Sequence, residues 1–330
     1  MLVNGCKAET PKFKMQALID TIATMALPTD AQRIFHGRGG LHPGGEQWTL
    51  DAYPPVFVLT SYAPAADAQL AAVGAALEAR WAQLAPGQPL NWVFQQRGDA
   101  QRMAGRADTV LMAGTVPEPH VVTEAGARFQ VHVLRGQNHG LFLDMAEGRR
   151  WVRDWAAAFM ARHGHGARVL NLFAYTCAFS VAALQGGAAQ VVNIDMARAA
   201  LATGQHNHAL NALAGRAQFW PHDIFSSWGK IARHGPYDLI IADPPSYQKG
   251  SFVATKDYPR LMRRLPDLLA PAGHALLCLN APELDMDFLH HHLHAQAPGL
   301  TFVGRVASPA VFRDVDDGRG LKVAAFRAGA

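Results

Sequence analysis

From Asp144 to Arg327 the sequence alternates short apolar runs with longer amphipathic ones, and no other feature narrows the fold as far. Strand-like runs fall at Arg168–Phe173, Gln190–Asp195, Ala217–Trp220, Tyr237–Asp243 and His274–Asn280. Helical spacing fills the intervals at Phe179–Leu184, Ala197–Asn211, Asp257–Leu269 (which Pro266 bends or divides) and Glu283–His294. Strands this short, joined through helices, belong to a mostly parallel sheet covered on both faces. Leu300–Val306 and Lys322–Arg327 have no helix between them, so they are expected to pair antiparallel at one edge. A helix with Trp151, Trp155 and Phe159 at successive turns leads into the first strand.

Upstream, the pattern is α/β on a smaller scale. Residues 1–53 are rich in Gly and Pro, with one amphipathic segment at Met15–Leu27 and a turn-rich loop from His36 to Gly45. Pro55–Ser61 reads as a buried strand, and a helix follows from about Ala66 to Ala85. Pro86-Gly-Gln-Pro89 ends that helix, and strands are expected at Asn91–Gln96 and Thr109–Ala113. Val121–Val133 reads as a hairpin turning at Ala125-Gly126. The expected division is a smaller N-terminal α/β domain over 1–117, assigned to substrate recognition. Residues 118–330 then supply the hairpin, the linking helix and the large sheet.

Composition excludes more than it identifies. Half the residues are apolar (49%), enough for a sizeable core. Thirty Lys+Arg against 26 Asp+Glu give a net charge of +4, which permits a polyanionic partner without requiring one. Only seven of those thirty are Lys, so positive charge comes mostly as Arg forks. Cys6, Cys177 and Cys278 are scattered and form no CxxC pair, which argues against a disulfide framework or a cysteine zinc site. No apolar run approaches the roughly 18 residues of a membrane span, and Asp20 interrupts the only apolar stretch near the start. A cytoplasmic location is expected.

Ligands of such sheets bind where loops leave the carboxyl ends of the strands. After the first strand comes Asn171-Leu-Phe-Ala-Tyr-Thr-Cys-Ala178, without the GxGxxG that a nicotinamide dinucleotide requires. Tyr175 and Thr176 can line a pocket there; Cys177 reads as a small buried residue rather than a nucleophile. Asp195 ends the second strand, where a carboxylate can accept both hydroxyl hydrogens of a ribose. His222-Asp223-Ile224-Phe225 offers a carboxylate and an apolar wall after the third. Each of these alone also reads as a helix cap or an ordinary turn. The fourth strand delivers Asp243-Pro244-Pro245-Ser246-Tyr247, in which two prolines hold carbonyls clear of local hydrogen bonding and Tyr247 offers a stacking face. Three carboxylates ending three successive strands are a stronger signal than any one of them.

Val169–Thr176, Asp195, Asp223 and Asp243–Tyr247 together resemble the motif series of class I S-adenosylmethionine-dependent methyltransferases. Gly140-Leu-Phe-Leu-Asp144 followed by Arg149-Arg150 resembles, more narrowly, the segment preceding the catalytic domain in bacterial large-subunit (23S) rRNA methyltransferases of the I and K type. The resemblance spans about Val121 to Arg327. It implies a Rossmann-like α/β sheet, mostly parallel with one antiparallel edge strand, and S-adenosylmethionine as cofactor. It implies cofactor contacts from Phe142, Asp144, Asn171, Phe173, Tyr175, Thr176, Asp195, Met196, Asp223, Ile224 and Asp243. Catalytic roles fall to Asp243, Pro244, Pro245 and Tyr247, and substrate contacts to Tyr247, Lys249, Lys256 and Asn280. The implied substrate is RNA, and ribosomal RNA in particular. Thr176-Cys177-Ala178 departs from the resembling enzymes by lacking their small glycine pair.

Nitrogen can attack a sulfonium methyl directly, whereas cytosine C5 needs a cysteine thiolate on C6. In the resembling 5-methylcytosine enzymes that cysteine follows the fifth strand; here the position falls on or beside Asn280, with Cys278 two residues earlier. A base nitrogen is therefore the expected target. The alternatives are a protein side-chain amide or small planar molecule, cytosine C5 through Cys278, or an RNA-binding protein without catalysis. Gln248-Lys249-Gly-Ser251 and a helix face with Lys256, Arg260, Arg263 and Arg264 either hold flanking phosphates or form an ordinary solvated face. His290–His294 reads as a solvated helix end rather than a metal site, and His36–Gly45 as a turn-rich loop before a phosphate cradle.

Overall fold

Leu172, Ile194, Trp220 and Ala242 lie side by side in the computed structural model, each the last residue of a parallel strand. The structure describes residues 15–98, 108–245, 247–248 and 252–329. It divides into two units, one of residues 1–118 with 133–137 and the other of residues 119–132 with 138–330.

The first unit comprises α1 (Gln16–Thr24), β1 (Gln32–His36), β2 (Trp48–Tyr53), β3 (Val56–Ser61), α2 (Asp67–Leu84), β4 (Asn91–Gln96) and β5 (Asp108–Ala113). Its sheet runs β1-β2-β3-β4-β5. Neighbours are antiparallel except β3 and β4, where α2 makes the crossover that a parallel pair needs. Alternate residues Trp48, Leu50, Phe57 and Leu59 share one core with Leu18 and Ile22 of α1 and Val73, Leu77 and Trp81 of α2. β1 and β2 flank the His36–Gly45 loop, in the Gly- and Pro-rich stretch 1–53 where the sequence reading places no strand. Each is only five or six residues long, and the Gly-rich segment between them masks their alternation.

The second unit opens with the hairpin β6 (His120–Glu124) and β7 (Ala127–Val131), turning at Ala125-Gly126 as the sequence indicates. There follow α3 (Ala146–His163), β8 (Arg168–Leu172), α4 (Ala178–Gln185), β9 (Gln190–Ile194), α5 (Arg198–Leu210), β10 (Ala217–Trp220), α6 (Trp228–His234) and β11 (Tyr237–Ala242). A small ribbon, β12 (Tyr247–Gln248) with β13 (Phe252–Val253), precedes α7 (Ala254–Met262) and α8 (Leu265–Leu268). The unit closes with β14 (Leu269–Leu279), α9 (Met286–Gln296), β15 (Leu300–Arg305) and β16 (Lys322–Ala328).

The large sheet is ordered β10-β9-β8-β11-β14-β16-β15, so the chain changes direction of travel between β8 and its neighbours. Val169, Leu170, Leu172, Leu239, Ile240, Ile241, Ala275, Leu276 and Leu277 are all buried, which is what coverage on both faces requires. The last two strands pair antiparallel at one edge, as expected, and the antiparallel strand is β16, inserted between β14 and β15. β15 takes the edge and points the same way as β14. The helical segment 257–269 is divided, one of the two outcomes expected of Pro266, which lies in the first turn of α8, where a missing N–H costs nothing. No helix among the described residues is long and apolar enough to cross a membrane.

Behind the β8–α4 turn, α5 comes very close. A Cβ on Gly204 would lie 2.5 Å from the Cys177 Sγ, 3.0 Å from its Cβ and 3.3 Å from the Thr176 carbonyl oxygen. Gly204→Ala should therefore destabilise the protein by about 1–3 kcal/mol, and the double variant Gly204→Ala/Cys177→Gly should recover most of the loss in urea melts. Equal stability of wild type and Gly204→Ala would contradict this packing.

Candidate active site

Because four strands end on one level, their following residues crowd one rim. The turns cross-brace at that level: Ala174 N–H donates to the Ile194 carbonyl at 3.0 Å, Asp195 N–H to Trp220 at 3.3 Å and Asp243 N–H to Leu172 at 3.5 Å. The structure thus brings Phe173, Tyr175, Thr176, Asp195, Met196, Asp223, Asp243 and Pro244 together at the switch point, where α/β sheets bind ligands.

The β8–α4 turn is strained. Phe173, Tyr175 and Cys177 have φ of 58°, 48° and 62°, a left-handed conformation that costs an L-residue about 1–2 kcal/mol each. Where glycine would relax it, the chain instead holds it from outside. Asp195 accepts the Tyr175 N–H at 2.8 Å on one carboxylate oxygen and the Ala197 N–H at 2.8 Å on the other. The Thr176 hydroxyl donates to the Gly140 carbonyl at 2.6 Å, and the Tyr175 ring packs on Phe142 with centroids 5.2 Å apart. Burial pushes the Tyr175 phenol and, further, the Cys177 thiol upward, so neither is an anion at neutral pH. Cys177 belongs to a small core with Ala174 and Leu201.

Beneath the turn runs a buried polar chain. Asn171 donates to Asn193 (2.9 Å), Asn193 to Ser180 (3.1 Å), and Ser180 bonds His208 Nε2 (2.8 Å). His208 Nδ1 lies 2.7 Å from the Gly204 carbonyl, which can only accept, so Nδ1 carries the proton and Nε2 accepts from Ser180. Burial lowers the pKa of His208, in keeping with that neutral tautomer. Asn171 is consequently not at the rim: its side chain is spent inside the sheet.

Asp223 is exposed and accepts the Phe225 N–H at 3.0 Å, a local turn that leaves its second oxygen uninvolved in that bond. Ile224 is buried in the large core, contributing a wall from behind rather than a surface. In front, Met196 and Phe142 are large apolar side chains left 57% and 41% exposed at the rim, which suits the two faces of a flat ring. Phe173 meets Phe252 edge-on at 5.3 Å, and Phe225 stacks beyond it at 6.5 Å.

Asp243 has the most perturbed environment. Burial and then the Asp144 carboxylate push its pKa up to about 7, and Arg149 opposes them only in part. Arg149 is itself 4% exposed and fully engaged: its guanidinium holds both Glu124 oxygens at 2.6 Å and the Phe142 carbonyl at 2.8 Å. One Arg of α3 thereby fixes the 140–144 segment against the hairpin. The sequence sets Arg149 beside Arg150 and marks neither for a site role. The missing clue is Glu124, twenty-five positions away and with nothing local to connect the pair.

Other expected residues stand apart. Asn280 is exposed just past β14, and Cys278 is wholly buried, its thiol raised well above normal by burial and the nearby Asp243 and Asp144. Tyr258 donates to the Cys278 carbonyl. Lys256 is exposed on α7, but the arginines there have partners: Arg260 with Asp257 and over the Phe225 ring, Arg263 with Gln296, Arg264 with Asp267. Pro245 is partly buried beside buried Pro244. Tyr247 enters through its backbone in β12, while Ser246, Lys249 and Ser251, like Cys6, lie outside the described residues. His290–His294 sit in α9, and among the described residues no group of three His, Cys, Asp or Glu is arranged for a metal ion. In the first unit, the 36–45 loop closes on itself. A Cβ on Gly37 would fall 1.8 Å from the Gly45 carbonyl oxygen, and Arg38 lies over Tyr62 at 4.1 Å.

Known proteins resemble this chain in sequence and in fold. A family model described as S-adenosylmethionine-dependent methyltransferase matches residues 32–327. A Psychrobacter protein named ribosomal RNA large subunit methyltransferase K/L is 35% identical over 202 residues, 59% of this chain and 23% of its own. Ribosomal RNA large subunit methyltransferase I of Aeromonas salmonicida is 28% identical over 230 residues, 68% of this chain and 55% of its own. The chain thus spans about a quarter and about half of these two relatives. A solved SAM-dependent methyltransferase structure from Agrobacterium tumefaciens superimposes with a TM-score of 0.64 at 17% identity, covering 92% of both chains, which is a likeness of fold.

The raised Asp243 pKa also governs stability. The folded protein binds this proton more tightly than the unfolded chain, so ionising Asp243 removes stability as pH rises from the unfolded value near 4 through about 7. At three units the effect is on the order of a few kcal/mol. Asp243→Asn should stabilise the protein at pH 8 and change little at pH 4.5. Chemical melts giving the same difference at both pH values would overturn the assignment.

Proposed function

The chain belongs to the S-adenosylmethionine-dependent methyltransferase family, and from that premise we propose that it methylates a nitrogen on a base of RNA, with ribosomal RNA in the cytoplasm as the natural candidate. The observation that carries the reading is the environment of Asp243: a carboxylate near neutrality followed by two prolines, at the carboxyl end of β11. The RNA assignment rests on the two rRNA methyltransferase relatives.

The residues present fit the cofactor. Asp195 spends one lone pair of each oxygen on a backbone N–H, and a carboxylate has about four such sites, so two remain for a ribose diol. Asp223 stands exposed for a second polar group, and Met196 and Phe142 offer apolar faces to an adenine. Asp144 and the strained Phe173–Cys177 turn border the place where the amino-acid portion would lie. When bound, S-adenosylmethionine supplies a methyl group activated by its sulfonium. The protein's task is alignment and exclusion of water around an in-line displacement.

Asp243 in its ionised form accepts an N–H of the target amine, and the Pro244 carbonyl accepts a second; Pro244 and Pro245 have no N–H to offer the Asp243 carboxylate. As nitrogen gains its fourth bond it becomes positive, and Asp243 with Asp144 stabilises that charge. Asp243 then lies at the right pKa to take the departing proton. A base held in RNA structure must be splayed out to reach this rim. Tyr247 is proposed to stack on it, and Lys249, Lys256 and Asn280 are proposed to contact the strand that carries it. The first unit is proposed to select the RNA. Attack through cytosine C5 is disfavoured by Cys278, which is wholly buried and has its pKa raised.

Tritiated methyl from S-adenosylmethionine, offered to RNA and protein from cells lacking the gene, should label large-subunit rRNA; label confined to protein would end the RNA reading. The rate should rise with pH to a plateau above about 7 as Asp243 ionises. Asp144→Asn removes a like charge, so it should move that midpoint downward. A midpoint unmoved in Asp144→Asn would exclude Asp243 as the proton acceptor.

A further inference from the structure

We propose that Asn207 is a positioning residue for the cofactor-binding turn, acting by clamping that turn to the β6–β7 hairpin. The inference rests on the cofactor reading above and adds a device that holds the site in shape. Asn207 lies in the last turn of α5 and Asn211 is its C-cap, four positions on, so both amides face the same neighbour. That neighbour is the outer edge of β7, where alternate residues direct their backbone groups outward. Asn211 accepts the Arg128 N–H at 2.9 Å and donates to the Arg128 carbonyl at 2.7 Å. Asn207 accepts the Gln130 N–H at 2.8 Å and turns its amide donor the other way, to the Thr176 carbonyl at 3.0 Å. Two side-chain amides thus take the place of a missing strand, and one of them also grips the cofactor turn.

The grip closes a circuit. Thr176 is held through its carbonyl by Asn207 and through its hydroxyl by the Gly140 carbonyl at 2.6 Å. Gly140 in turn lies against β7: it has φ 98°, and a Cβ there would approach the Gln130 carbonyl oxygen at 3.0 Å. From Gln130 the circuit returns to Asn207, whose side chain is completely buried. The turn so enclosed carries three positive-φ residues and no glycine, so its shape depends on outside bonds more than on its own preference. Among the residues brought to the rim, Asn207 meets Thr176, and it does so through the backbone carbonyl. Its influence passes through Thr176 to Tyr175, whose N–H and ring set Asp195 and Phe142.

Asn207→Asp separates the two bonds. The carboxylate still accepts from Gln130, but an oxygen now faces the Thr176 carbonyl and can donate nothing to it. Calorimetry with S-adenosylhomocysteine should show Kd raised tenfold or more. With excess cofactor, turnover should stay within about twofold of wild type and KM for RNA should not move. Asn211→Ala frees Arg128 without touching the turn; it should lower the melting temperature and leave Kd within about twofold. If N207D does not fold, N207S, which drops both bonds without adding charge, carries the same Kd prediction. Wild-type Kd in the Asn207 variant, or an equal loss of affinity in Asn211→Ala, would overturn the proposal. Failure of the wild type to bind S-adenosylhomocysteine at millimolar concentration would remove the cofactor reading as well.

Discussion

The common end of β8, β9, β10 and β11 is the constraint on which the rest of the second unit depends. Parallel strands buried on both faces must be apolar along their length, so polar chemistry can start only where they stop. Because Leu172, Ile194, Trp220 and Ala242 stop on one rung, the next residues of all four chains share one edge. A slip of one residue in any pairing would send a core side chain to the opposite face and its terminal carboxylate off the rim. The register therefore guards the core and the site with the same set of hydrogen bonds.

A rim assembled this way still needs turns of unusual shape, and the β8–α4 turn shows how the chain manages that without glycine. Its positive-φ residues cost several kcal/mol together, more than any one hydrogen bond returns at about 1 kcal/mol. The support is accordingly plural: Asp195 from the next strand, Gly140 and Asn207 from outside, and the Asn171–Asn193–Ser180–His208 chain from below. Buried polar chains of this kind are costly when half-satisfied and stiffening when complete. Here the His208 end terminates on the Gly204 carbonyl, which ties the chain to α5.

Periodicity and strand ends are what a sequence can express on its own. The apolar runs of β8, β9, β10 and β11 and the turn at Ala125-Gly126 depend on neighbours within a few positions, and they stand where the spacing puts them. Asp195, Asp223 and Asp243 are legible for the same reason, each being a polar residue close behind an apolar run. What stays hidden is determined across the chain. Arg149 acquires meaning from Glu124, and Asn207 from Gln130 and Thr176; no window of sequence contains such a pair. Asn171 misleads because a strand-end position cannot be inferred without the register, which places it one residue inside the last buried rung. β15 and β16 pair antiparallel at the sheet edge as expected, while their order within it is a matter of crossover that composition does not express.

The electrostatics of the rim bear on which chemistry it can support. Asp243 and Cys278 are raised by the same causes, burial and neighbouring carboxylates, so this corner resists any further negative charge. A thiolate nucleophile would have to form against that resistance. A neutral amine would meet the opposite condition: entering uncharged and turning positive on accepting a methyl group, it would do so beside two carboxylates in a medium of low polarity. Arg149 keeps this bias within bounds. Tied to Glu124 and the Phe142 carbonyl, it lends Asp243 enough positive potential for ionisation near neutral pH, while its own charge is largely met by Glu124. Arg149 therefore bears on the carboxylate at the rim through its charge, and through its hydrogen bonds it fixes the segment that frames the site.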